Sequence, residues 1–174
     1  MSPIAHSGVA LLGWELSSTR KTVKSFLVFF AIANIPDIDF FLFLVFGRSR
    51  LSLHQYVTHN LFFVIIVAGL FSLLLPAARD RWGLILVGLS HLVLDIIVID
   101  PARPIGIRLF FPLSKKIFNF GFFPHLERAG ISNWFSGKNL AVMALEAAVF
   151  VAPILILFGR DLVRTVKSRA FWTV

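Results

Sequence analysis

Cysteine is absent from all 174 residues. That excludes disulfides, thiolate zinc sites and thiol nucleophiles together, and leaves His, Asp and Glu to bind any metal. Charge is scarce as well. Only 15% of residues are charged against 57% hydrophobic, too few to coat a soluble globule of this size. Acidic residues are the rarer sign, 9 against 17 basic, for a formal charge of +8. In so apolar a chain that excess suits anionic headgroups or phosphate-bearing substrates, and no zinc-finger, RNP or basic-helix pattern points to nucleic acid. No Lys or Arg precedes residue 20, so the chain opens without the basic region of a cleavable signal. Missing too are a Gly-x-Ser-x-Gly elbow, a His-Glu-x-x-His pair, a phosphate-binding glycine loop and a dinucleotide fingerprint. Serine hydrolase, zincin protease and nucleotide-driven pump all lose support.

What the chain has in abundance is apolar runs. Five stand out, over residues 4–17, 25–46, 61–76, 82–100 and 139–159, separated by polar or basic punctuation. They predict an all-α integral membrane bundle of four or five helical segments, in one domain spanning residues 1–174. Pro36 interrupts the second run and ends its helix near Asn34. Residues 101–138 form a long connection in which Phe110, Phe111, Phe118, Phe120, Phe122 and Phe123 are interspersed with Arg108, Lys115 and Lys116. Aromatics with basic tips read as an interfacial segment.

Polar residues inside such runs are costly, about 2.5–3.5 kcal/mol each on the gentler insertion scales, so each needs a partner. His91 and Asp95, in Ser90-His-Leu-Val-Leu-Asp95, are four apart and stack one turn apart on one helix face, where they can grip a single cation. Asp37 and Asp39 follow Pro36, and an extended chain there puts both carboxylates on one face. His54 and His59 would be about 140° apart on a helix, but a loop-to-helix boundary capped by Thr58 or Asn60 lets them converge. If the segments alternate in direction, His6, Asp37, Asp39, His54, His59, His91, Asp95 and Glu146 all face one side of the membrane. By contrast Glu15, Asp80 and Asp161 sit at segment ends among basic residues and read as structural, and His125 and Glu127 as exposed. Short basic turns holding Arg20, Lys21, Lys24, Arg79 and Arg81, with the basic C-terminal segment, mark the opposite side as cytoplasmic, so the polar cluster should face outward.

Read in order, His6, Ile35-Pro-Asp-Ile-Asp39, His54-x4-His59, Ser90-His-Leu-Val-Leu-Asp95, Pro104-Ile-Gly-Ile…Phe111-Pro112 and Glu146 resemble the YdjM-like family of inner-membrane metal-dependent hydrolases. The sequence departs from that pattern at Phe40, where the acidic motif ends in His. It departs again at Gln55, which replaces an Arg, and at Asn60, which replaces a Ser. The family is in turn similar to the all-helical zinc-dependent phospholipase C group, whose bundle holds a cluster of zinc ions. The resemblance implies a phospholipase C-like core in the cytoplasmic (inner) membrane, holding one to three divalent ions, zinc foremost. His91 and Asp95 match its His-x-x-x-Asp helix, Asp37 or Asp39 its upstream acid, and His59 or His54 its upstream histidine. The implied activity is hydrolysis of a phosphoester in a membrane lipid or lipid-linked substrate, with Asp37 or Asp39 orienting the attacking water or taking its proton. Arg103, Arg108 and Lys115 would neutralise phosphate. Two rivals stand beside it: a proton- or cation-coupled transporter, and a scaffold that keeps metal for stability.

Overall fold

The computed structural model of the chain describes residues 1–38, 57–99, 106–127 and 135–172. Asp39, His54, Arg103, Phe40 and Gln55 lie outside them.

Four of the six described helices begin at a side chain that accepts from an otherwise unbonded N–H of the first turn. Ser2 caps α1 (Pro3–Leu16) by accepting from the Ile4 N–H, and Pro3 occupies the first turn, where no donor is needed. The far end of α1 is closed by the Lys21 ammonium, which donates to the carbonyls of Trp14, Glu15 (2.8 Å) and Ser17 (3.1 Å), placing a cation on the negative helix end. Burial pushes that ammonium below the usual lysine pKa. A reciprocal Thr22–Ser25 capping box opens α2 (Val23–Asn34). Pro36 ends it as expected, but the chain then tightens into a 3-10 turn, Ile35–Asp37, instead of extending. The proline sits at the start of this turn, where its fixed φ suits a tight helical turn and its missing N–H costs nothing. Asp37 is therefore presented from a turn, not from an extended chain.

Asn60 caps α3 (Leu61–Ser72), accepting from the Phe63 N–H at 2.9 Å. In α4 (Ala78–Ile97), Asp80 lies in the first turn and accepts from the N–H and hydroxyl of Ser18, both at 2.8 Å, tying the α1 end to α4. Asp161 pairs with Arg164 on an exposed surface. Ser136 caps α5 (Gly137–Glu146), which continues through a π turn, Ala147–Val151, into α6 (Ala152–Lys167). Pro153 explains the π turn: it has no N–H to give the preceding turn, and its ring would collide with the carbonyl four residues back.

Packing gathers α1, α2 and α4 around Trp14, Phe29, Ile32, Leu84 and Val87, with α3 laid on α4. A smaller cluster of Val64, Leu92, Ile96 and Ile107 seats residues 106–127 on the end of α3 and α4. Among the described residues this segment forms isolated bridges, not strands: Ile107 with Phe118 and Val98 with Phe123. Gly106 sits at φ 80°, and a Cβ there would come within 2.4 Å of the Phe118 carbonyl oxygen, so the bridge requires glycine.

The continuous helix Gly137–Lys167, 31 residues, is long and apolar enough to cross a bilayer, and its most apolar window is only 17% buried. No other helix among the described residues meets both conditions. α1, α2 and α3 have 14, 12 and 12 residues, short of the ~20 a span needs. α4 has 20 but carries Arg79, Asp80 and Arg81. The helical expectation holds, while caps and prolines cut the apolar runs into shorter pieces than their composition suggests.

Close helix approach makes a test. A Cβ on Gly8 would meet the Phe150 carbonyl oxygen at 2.6 Å, whereas nothing lies within 4 Å of one on Gly83. Gly8→Ala should cost about 1–3 kcal/mol by forcing α1 off the π turn, and Gly83→Ala should be neutral or stabilise by up to ~1 kcal/mol. Thermal unfolding of both variants in one detergent measures the difference.

Candidate metal centre

Three helix ends converge on one point. Asp37 comes from the 3-10 turn after α2, and His59 immediately precedes the Asn60 cap of α3. His91 and Asp95 come from successive turns of α4. One ligand atom from each lies within 4.8 Å of the others. His59 Nε2 is 3.3 Å from Asp37 Oδ1 and 3.3 Å from Asp95 Oδ2. His91 Nε2 is 3.2 Å from Asp95 Oδ2 and 3.8 Å from Asp37 Oδ1. The two Nε2 atoms are themselves 3.3 Å apart.

These separations carry a chemical meaning. Ligand atoms at about 2.0–2.1 Å from a tetrahedral zinc lie roughly 3.3 Å from one another. Four of the five distances fall within 0.1 Å of that edge length, so these two imidazoles and two carboxylates could hold a metal ion. Nitrogen and oxygen donors are also the only set a cysteine-free chain can offer.

The tautomer of His91 is fixed from behind. Its Nδ1 donates to the Ala33 carbonyl at 2.7 Å, and a carbonyl can only accept, so the neutral ring keeps its Nε2 lone pair for the centre. His59 Nδ1 lies 3.0 Å from the Thr58 hydroxyl. Burial is graded: the His91 and His59 side chains are 0% and 2% exposed, Asp95 14% and Asp37 28%. Asp37 is thus the least buried of the four.

His6 stands beside the four. Its ring stacks on His91, centroids 3.8 Å apart and planes 15° from parallel. Its Nε2 is 3.5 Å from Asp95 Oδ1, and both ring nitrogens are buried with no hydrogen-bond partner. Asp95 thus turns Oδ2 to His59 and His91, and Oδ1 to His6 and the Met1 backbone nitrogen. Glu146, expected among the ligands, lies outside the four-residue group: its carboxylate accepts from the Ser2 N–H (3.1 and 3.2 Å) and from the Ser2 hydroxyl. It holds the N-terminal turn of α1, which carries His6. Sequence reasoning missed Ser2 and the Ala33 carbonyl. The Ser2-Pro3 pair is a helix-start signal that could have found the first; nothing in a sequence marks a carbonyl.

Of the remaining expectations, Arg108 is half-buried where the loop turns away from Ile107, and Lys115 is exposed near the loop tip. Glu127 lies off the cluster with its side chain exposed. Lys138, at 2.5 Å, holds its carboxyl below the usual range, and its backbone is clamped by Asn139.

Alanine at His59, His91 or Asp95 should abolish high-affinity zinc binding by purified protein. Thr58→Val, which removes the hydroxyl behind His59, should weaken it about 10–100-fold. Asp161→Ala should leave it unchanged. Competition against a chromogenic chelator measures all five, and equal affinity in wild type and His91→Ala would remove the site.

No curated protein and no solved structure matches the chain. The profile of the YdjM inner membrane protein family matches residues 1–167, and with nearly its whole length covered the chain belongs to that family.

Proposed function

We propose that this protein is a membrane-bound metal-dependent hydrolase acting on a phosphoester in a lipid or lipid-linked substrate. The observation that carries the reading is the Asp37–His59–His91–Asp95 cluster, four nitrogen and oxygen donors at metal-binding separations, with Asp37 the least buried of them. A divalent ion, zinc foremost, held by these residues would supply Lewis-acid polarisation of a phosphoryl oxygen. His6 and Asp95 Oδ1 form the adjoining pair for a second ion, and the unpartnered His6 nitrogens favour it.

The chain's own groups then divide the work. Asp37, the most exposed of the four, is placed to accept a hydrogen bond from an attacking water and orient it. Arg108 and Lys115, with Arg103, would offset phosphate charge. Lys21, Lys24, Arg79 and Arg81 lie at the other end of the bundle, which favours a site facing outward. A relay of protons or cations through the membrane fits less well, because Trp14, Phe29, Ile32, Leu84 and Val87 fill the middle of the bundle with apolar side chains.

One observation favours a second reading. Four protein ligands complete a tetrahedron, which is the habit of structural zinc sites, while catalytic ones keep a position for water or substrate. Assay of the reconstituted protein on phosphomonoester and phosphodiester lipids separates the two. Hydrolysis that a chelator abolishes and added zinc restores, in wild type but not in Asp95→Ala, is the expected result. A fully metallated protein that turns over neither class would leave the metal a structural role.

A further inference from the structure

Residues 106–124 have two faces. On the inner one, Ile107 and Phe118 pack with Val64, Leu92 and Ile96. On the outer one, Leu113 is 80% exposed, Phe120 71% and Phe122 69%, with Phe110 and Ile117 partly exposed beside them. Lys115 and Lys116 are exposed between these apolar side chains. The stretch holds three basic residues, Arg108, Lys115 and Lys116, and no acidic one. A soluble surface seldom displays so much contiguous apolar area, and a basic rim around it selects what can cover it.

The segment is also fastened to the metal centre. The Leu61 N–H donates to the Leu109 carbonyl at 2.9 Å, two residues after His59. The Phe120 N–H donates to Ile96 at 2.7 Å, one residue after Asp95, and the Phe122 N–H to Ile97 at 3.0 Å. Any surface that holds the outer face therefore fixes the depth of His59 and Asp95 relative to it.

We propose that residues 110–122 are a bilayer-surface anchor, which sinks Leu113, Phe120 and Phe122 into the interface of the leaflet facing the site and sets Lys115 and Lys116 against anionic headgroups. Gly137–Lys167 is long and apolar enough to cross a bilayer, and the segment touches that helix through Phe123 on Phe150. Charge decides between lipids: two exposed lysines with no acidic partner among the described residues gain from a negative surface and little from a zwitterionic one. The inference is independent of whether the site hydrolyses anything.

The cysteine-free sequence gives a clean test. Leu113→Cys and Phe120→Cys, each carrying an environment-sensitive fluorophore, are placed in nanodiscs of phosphatidylcholine alone or mixed with phosphatidylglycerol. The account expects blue-shifted emission, quenched more by spin labels near the headgroups than at the chain ends, and more in the anionic discs. Lys115→Glu with Lys116→Glu should reduce quenching several-fold in anionic discs only, with thermal unfolding unchanged. Water-like, unquenched emission would overturn the proposal. So would shielding that persists in detergent and grows with protein concentration, since a second copy would then be the occupant.

Discussion

Two imidazoles and two carboxylates brought to one point inside an apolar bundle make a constraint that the rest of the structure must meet. Each would cost several kcal/mol if left without a partner. Asp37, His59, His91 and Asp95 solve this by converging until their donor atoms sit at the separations a single divalent ion imposes. The requirement explains why these helix ends meet at one end of the bundle.

The surroundings are arranged to hold the cluster rather than merely enclose it. His91 is turned by the Ala33 carbonyl on α2, which meets its ring edge, and His6 from α1 is stacked flat on the ring. Glu146 and Ser2 lock the start of α1, so the helix that carries His6 is set by a buried bond 144 residues away in sequence. At the other end, Lys21 and the Asp80–Ser18 bonds close α1 onto α4. Between the two polar ends lies a dry core, which gives the molecule a working face and a supporting one.

Legibility in the sequence followed the range of the interaction. His91 and Asp95 were readable because helical periodicity alone puts them on one face. Pro36 correctly marked the end of α2, yet the shape of the next turn depended on the proline fitting a 3-10 start, which the pattern of acids does not reveal. Asn60 was readable as a cap, and with it the position of His59. His6 entered only through the shared side of the segments and the family pattern, and its stacking on His91 comes from the packing of α1 against α4, which has no local signature. Glu146 looked like a ligand for the same reason it is buried, but its partner is the α1 cap. The Phe-rich connection announced an interface by composition, while its stitching to Leu61, Ile96 and Ile97 is long-range and has no sequence signal.

The central claim is that these four side chains form one first coordination sphere. X-ray absorption spectroscopy of the zinc-loaded, purified protein tests it directly. The account predicts a shell of nitrogen and oxygen atoms at about 2.0–2.1 Å, with the outer-ring scattering of two or three imidazoles. A spectrum with no imidazole scattering, or a shell made only of solvent oxygens, would contradict it.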